Sequence, residues 1–138
     1  KYQKEFRPDF KTVERLIIKQ KKDFLSILII GGSLKKEIEY NLKLEYFLEC
    51  KFKDCKILNY TSKLNLDQSS DLIAQADYYI GINNGMGNVS QMFNTNSTII
   101  YCGPEKPTIR KFSEKADTLY FWIRSHNNVY LIKLHTYS

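Results

Sequence analysis

At 138 residues the chain is long enough for one continuous core and too short for two full-sized domains, which makes it one unit or one piece of a larger protein. Its 43% hydrophobic and 26% charged residues exclude disorder as the main state. A net charge of +6 admits an anionic partner such as a phosphate, a nucleotide or an acidic inner-membrane surface. The lysines gather in surface-like stretches, "IKQKKD" and "KFKDCK", without the interleaved aromatics of a nucleic-acid module, so a solvated basic face is expected and nucleic acid is not.

No apolar run approaches the roughly 18 residues of a membrane span, and the opening "KYQKEFRPDF" has no apolar signal-peptide core, so a soluble, cytoplasmic domain is expected. Cys50, Cys55 and Cys102 are odd in number and lack CxxC spacing, which argues against a disulfide framework or a zinc site and for reduced thiols. The chain does not begin with Met, which suggests a part of a longer protein.

Along the chain, Phe10, Val13, Leu16 and Ile17 recur at helical spacing after Pro8 and Asp9, which suit a first turn. "FLSILII" reads as a short strand buried on both sides, because it does not alternate, and "GGS" ends it. A second helix is expected from Leu34 to about Cys50, with Ile38, Leu42, Phe47 and Leu48 on one side, followed by the strand "KILNY". In "LNLDQSSDLIAQAD", Asn65 and Gln68 have capping-box spacing, and Leu66, Ser69, Leu72, Ile73 and Ala76 form the stripe expected to be buried. "YYIGI" is a strand, "GNVSQMFN" a short helix and "STIIYCG" another strand. Such alternation of strand and helix is the pattern of an α/β fold, a Rossmann-like parallel sheet flanked by helices with right-handed crossovers. After Pro107 the rhythm breaks, and "TLYFWI" and "VYLIKL" read as strands separated by the turn "RSHNN".

In an open α/β sheet, ligands lie beyond the carboxyl ends of the strands. The loops "GGSLKKE", "INNGMGN" and "CGPEKP" fall at such ends. Gly85 and Gly87 permit close backbone approach, and a helix starting near Asn88 would offer free N–H groups to a diphosphate; the same residues also suit a plain strand-to-helix turn. "GGS" has neither GxGxxG nor Walker spacing, while Glu37 beyond it is placed to accept from ribose hydroxyls or simply to be solvated. His126 and His135 have no Ser or Cys nucleophile elbow near them and read as surface or edge-strand residues. No His, Cys and Asp cluster has metal-ligand spacing, so neither a metal nor another cofactor is expected.

Taken together, "KEFRPDF", "ILIIGGSLKKE", "LNYTSKLNLDQSSDLIAQADYYIGINNGMGN" and "IIYCGPEKP" resemble, over about Lys4 to Pro107, the C-terminal half of a family 9 glycosyltransferase, the group that contains the ADP-heptose lipopolysaccharide heptosyltransferases. The resemblance implies one half of a GT-B fold: residues 1–138 form the nucleotide-sugar-binding domain, 108–138 are a tail of undetermined role, and an N-terminal acceptor domain lies outside the sequence. It implies a metal-independent, heptosyltransferase-like transferase of lipopolysaccharide biosynthesis. The donor would be a nucleotide-diphosphate sugar and the acceptor a glycolipid or glycan, with a peripheral place at the inner membrane face as one option. It also implies that Lys4 meets the donor phosphates, Glu37 lies near the ribose, and Asn84, Gly85, Met86 and Gly87 line the diphosphate. Asn83 stands where the family has Asp, and Asn88 where it has His. Asn keeps a hydrogen-bonding amide at both positions but removes a charge at one and a titratable group at the other, so a catalytically degenerate binding or assembly module is the alternative expectation.

Overall fold

The structure is a computed structural model and describes residues 7–20, 26–82, 89–90, 92–101, 116–124 and 128–135. Its elements follow the order α1 (Phe10–Gln20), β1 (Ser26–Ile29), α2 (Lys35–Lys51), β2 (Lys56–Asn59), α3 (Leu66–Gln75), β3 (Tyr79–Ile82), β4 (Ser97–Tyr101), β5 (Ala116–Arg124) and β6 (Asn128–His135). The chain is therefore mixed α/β with parallel strand pairs, as the alternation predicts, but its strands do not form the single parallel sheet expected. The strands belong to two sheets, and the chain divides into two compact units, Asp9–Ser69 and a second that holds Ser70–Ser138.

In the first unit, α1 begins where Asp9 Oδ1 accepts the Thr12 N–H at 2.8 Å, a side-chain cap that satisfies one of the open donors of the first turn. Thr12, Val13, Leu16 and Ile17 are its buried face, in agreement with the spacing of the apolar residues. The Phe10 ring meets Tyr40 and Phe47 of α2 with centroids 5.2 and 5.4 Å apart, an aromatic seam between the two helices. β1 and β2 pair in parallel from Ser26↔Lys56 to Ile29↔Asn59.

Three expectations are corrected in or beside this unit. β1 is not buried on both sides: Ile29 is buried and Ile27 half-buried, but Ser26 and Leu28 are exposed, in a sheet of two strands. In α2 the buried residues are Asn41, Leu44 and Leu48, while Leu42 is 56% exposed and Ile38 and Phe47 are half-buried. The helix has apolar residues on opposite sides, so periodicity alone does not say which faces inward. Leu66 is 65% exposed because it is the first residue of α3, ahead of the stripe that packs; Ser69 and Ile73 are buried, and Leu72 and Ala76 are half-buried. The capping box at that helix start forms as its spacing predicts, with the Gln68 N–H donating to Asn65 Oδ1 at 2.8 Å and the Asn65 N–H to Gln68 Oε1 at 2.9 Å.

The second unit has the strand order β3-β4-β5-β6. β3 and β4 are parallel, β4 and β5 are parallel, and β5 and β6 are antiparallel with an irregularity at Tyr120/Phe121. The short connection between β5 and β6 permits only the antiparallel arrangement, since a parallel return needs a dozen or more residues. The tail after Pro107 thus adds two strands to the sheet that contains β4. From Ser97 to Ile100, β4 is buried throughout, with exposures of 0 to 1%. Thr95 Oγ1 ties the approach to β4 onto α3 by donating to Ile73 O at 2.9 Å.

Candidate functional site

Of the residues singled out from the sequence, Glu37 lies in the described structure. Lys4, Asn83, Asn84, Gly85, Met86, Gly87 and Asn88 lie outside the described residues, as does His126. β3 ends at Ile82, so the "NNGMGN" loop leaves the carboxyl end of a strand that is parallel to its neighbour β4, as expected of a ligand loop. The helical residues described after it are Val89, Ser90 and Met92. This stretch closes at Asn94, whose φ of 59° is left-handed, with the Thr95 N–H donating to Ser90 O at 2.9 Å in a Schellman arrangement.

The described part of the site is the pair of strand ends in the first unit. Past the last ladder residues, the Tyr60 N–H donates to Ile29 O at 2.7 Å and the Ser62 N–H to Gly31 O at 2.9 Å, so the parallel bonding continues into both loops. Glu37 is in the first turn of α2, where a negative charge suits the helix dipole, and its Oε1 accepts the Gly32 N–H at 3.0 Å. The carboxylate is thus a brace for the glycine pair as well as a candidate hydroxyl acceptor. Leu34 stands at the helix cap with no side-chain cap bond, which leaves the brace to Glu37. Ser33 and Ser62 are exposed, with hydroxyls 3.4 Å apart across the two loops. Ser62 has φ 65°, a left-handed conformation that costs a serine about 1 kcal/mol or more.

Beneath these loops is a polar cluster absent from the sequence reading. Buried Asn41 donates through Nδ2 to Thr61 Oγ1 at 2.9 Å and to Ile30 O at 3.4 Å. Asn59 Oδ1 accepts the Thr61 N–H at 2.9 Å, and Asn59 Nδ2 donates to Glu45 Oε1 at 3.0 Å and, at 3.5 Å, to Asn41 O. One signal was available: Asn41 is three and seven residues before Leu44 and Leu48, a polar side chain in a helical stripe that is otherwise apolar. Gly31 fits the same cluster, because a Cβ there would stand 2.7 Å from Asn41 Nδ2 and 3.0 Å from Glu37 Oε2.

Chemically, the strand ends offer a carboxylate and two exposed hydroxyls, a set suited to a polyhydroxylated ligand. Among the described residues no group of three or more His, Cys, Asp or Glu could hold a metal ion, and no helix is long and apolar enough to cross a membrane. Compared with protein families, curated proteins and solved structures, the chain matches none.

Proposed function

We propose that this chain is the donor-binding half of a GT-B glycosyltransferase, a Rossmann-like domain that holds a nucleotide-diphosphate sugar for transfer to a lipopolysaccharide-type or other glycan acceptor. The observation that carries the reading is that Glu37 braces the glycine pair at the carboxyl end of β1, in a parallel strand–helix–strand unit. The loop of Asn83 to Asn88 leaves the carboxyl end of β3, which supports it as the diphosphate seat. In this reading Glu37 accepts ribose hydroxyls with its remaining lone pairs, and Lys4 and the amides around Gly85, Met86 and Gly87 neutralise the departing diphosphate. In this reading the protein works in the cytoplasm, with a peripheral place at the inner membrane face as the option if the acceptor is a glycolipid.

Titration with ADP, UDP and GDP, followed by amide NMR, tests this. The expected result is displacement of the signals of residues 84–88 and of Gly32 by at least one nucleotide. No perturbation by any of the three at millimolar concentration overturns the reading.

Asn83 and Asn88, in place of the Asp and His of the family it resembles, favour a second reading in which the domain binds the sugar nucleotide without turning it over. Transfer activity gained by Asn83→Asp with Asn88→His in the full-length protein supports this reading, and robust turnover by the native protein rejects it.

A further inference from the structure

We infer that Asn41 is a positioning residue for the strand ends, setting the Gly31–Gly32 loop against the Thr61–Ser62 loop so that both meet the nucleoside part of the donor; this rests on the donor-domain reading. Its amide has two N–H donors, and both are used between the loops, one on the carbonyl of Ile30 just after β1 and one on the hydroxyl of Thr61 just after β2. The paired residues end at Ile29↔Asn59, and beyond that point the spacing of the two loops is held by the Tyr60 N–H to Ile29 O and Ser62 N–H to Gly31 O bonds together with Asn41. Asn59 holds the far side of the same loop through the Thr61 N–H.

Two further features mark this as geometry rather than filling. Burying an amide is costly unless it is bonded, and a leucine would fill the helix face without that cost. The Gly31 backbone rests directly on the amide, as the 2.7 Å approach of a hypothetical Cβ to Asn41 Nδ2 makes plain. The strained Ser62 lies at the end of this chain of bonds, and a left-handed serine persists only where its surroundings over-determine it. Asn41 supplies part of that constraint, while the nucleoside would meet Glu37, Ser33, Ser62 and the loop backbone rather than the amide itself.

The test uses the full chain with ADP, UDP and GDP as probes, measuring affinity and thermal stability in parallel for the wild type, Asn41→Ala, Gly31→Ala and the double variant. Asn41→Ala is expected to weaken nucleotide binding about tenfold, measured well below its unfolding temperature so that only folded protein is compared. In the double variant, the alanine at 31 occupies space that the amide has left. Stability is expected to recover relative to the sum of the single changes while affinity stays low, because the bonds to Ile30 and Thr61 are still missing. Wild-type affinity in Asn41→Ala overturns the positioning role alone, as does a double variant that regains affinity together with stability. Failure of the wild type to bind any of the three nucleotides overturns the donor-domain reading and the positioning role with it.

Discussion

The first unit's strand ends and the second unit's β4 are both parallel β structure, yet they are stabilised by different means. Ser97 to Ile100 of β4 lie between two partner strands and are buried end to end, so ladder bonds and excluded water do most of the stabilising. Among the described residues, β1 and β2 pair only with each other; they expose Ser26 and Leu28, and side-chain amides from Asn41 and Asn59 help to close their carboxyl ends. A strand pair that cannot be buried on both faces can still be held to a defined geometry, provided that polar side chains span the gap where the ladder stops. Such a place can remain open to a ligand, whereas a strand like β4 cannot.

The largest effect that would sharpen this contrast is in the buried strand. Ile99→Ala is expected to cost about 3–4 kcal/mol in urea unfolding, through lost burial and the cavity left behind, against less than about 1 kcal/mol for Leu28→Ala in β1. Equal losses would show that β1 is as deeply packed as β4. Next in size is Gly31→Ala, with an expected loss of about 1–3 kcal/mol as Asn41 or the loop yields to the new Cβ. A neutral result by thermal unfolding would mean that the amide moves aside freely and the strand ends are not rigid. Thr61→Val keeps the shape but leaves an Asn41 donor without its acceptor in a buried place, with an expected cost of about 1–2 kcal/mol.

Asn65→Ala removes one half of the capping box, and about 1 kcal/mol is expected from it. The cap and the amide cluster are legible to different degrees, for a physical reason. Asp9 with Thr12, and Asn65 with Gln68, are bonds between residues three apart, so the spacing of the letters already contains the geometry. Asn41 and Thr61 are twenty positions apart and meet only after β1, α2 and β2 have assembled. The parallel pairing, the hairpin after Pro107 and the inward faces of α1 and of much of α3 followed from apolar period and turn composition. The outward positions of Leu42 and Leu66 did not, since periodicity ranks a helix's faces without saying what each one meets. Of the candidate site, Glu37 could be read from its place after the glycine pair, but not its bond to the Gly32 N–H.

The smallest effect expected is in β4. Ser97 Oγ is buried without a hydrogen-bond partner, so Ser97→Ala is expected to change stability by no more than about 0.5–1 kcal/mol, in the stabilising direction, although the residue is completely inaccessible. A clear loss in the same unfolding assay would reveal a hydrogen bond at that hydroxyl and weaken the view that β4 depends on apolar burial and its ladder alone.

Because α2 has Leu44 and Leu48 on one side and Leu42 and Tyr46 on the other, apolar attraction alone gives a collapsing chain little reason to choose between two ways of laying this helix down. The amide at Asn41 breaks that tie. Docked by the opposite face, the helix would turn Asn41 away and leave the Thr61 hydroxyl without the donor it has in the native arrangement. A single buried polar side chain can select one packing over a competitor of similar hydrophobicity, as a lone asparagine does in a coiled coil. On the positioning reading, the residue that spaces the strand ends is also the one that would disfavour the inverted docking of α2.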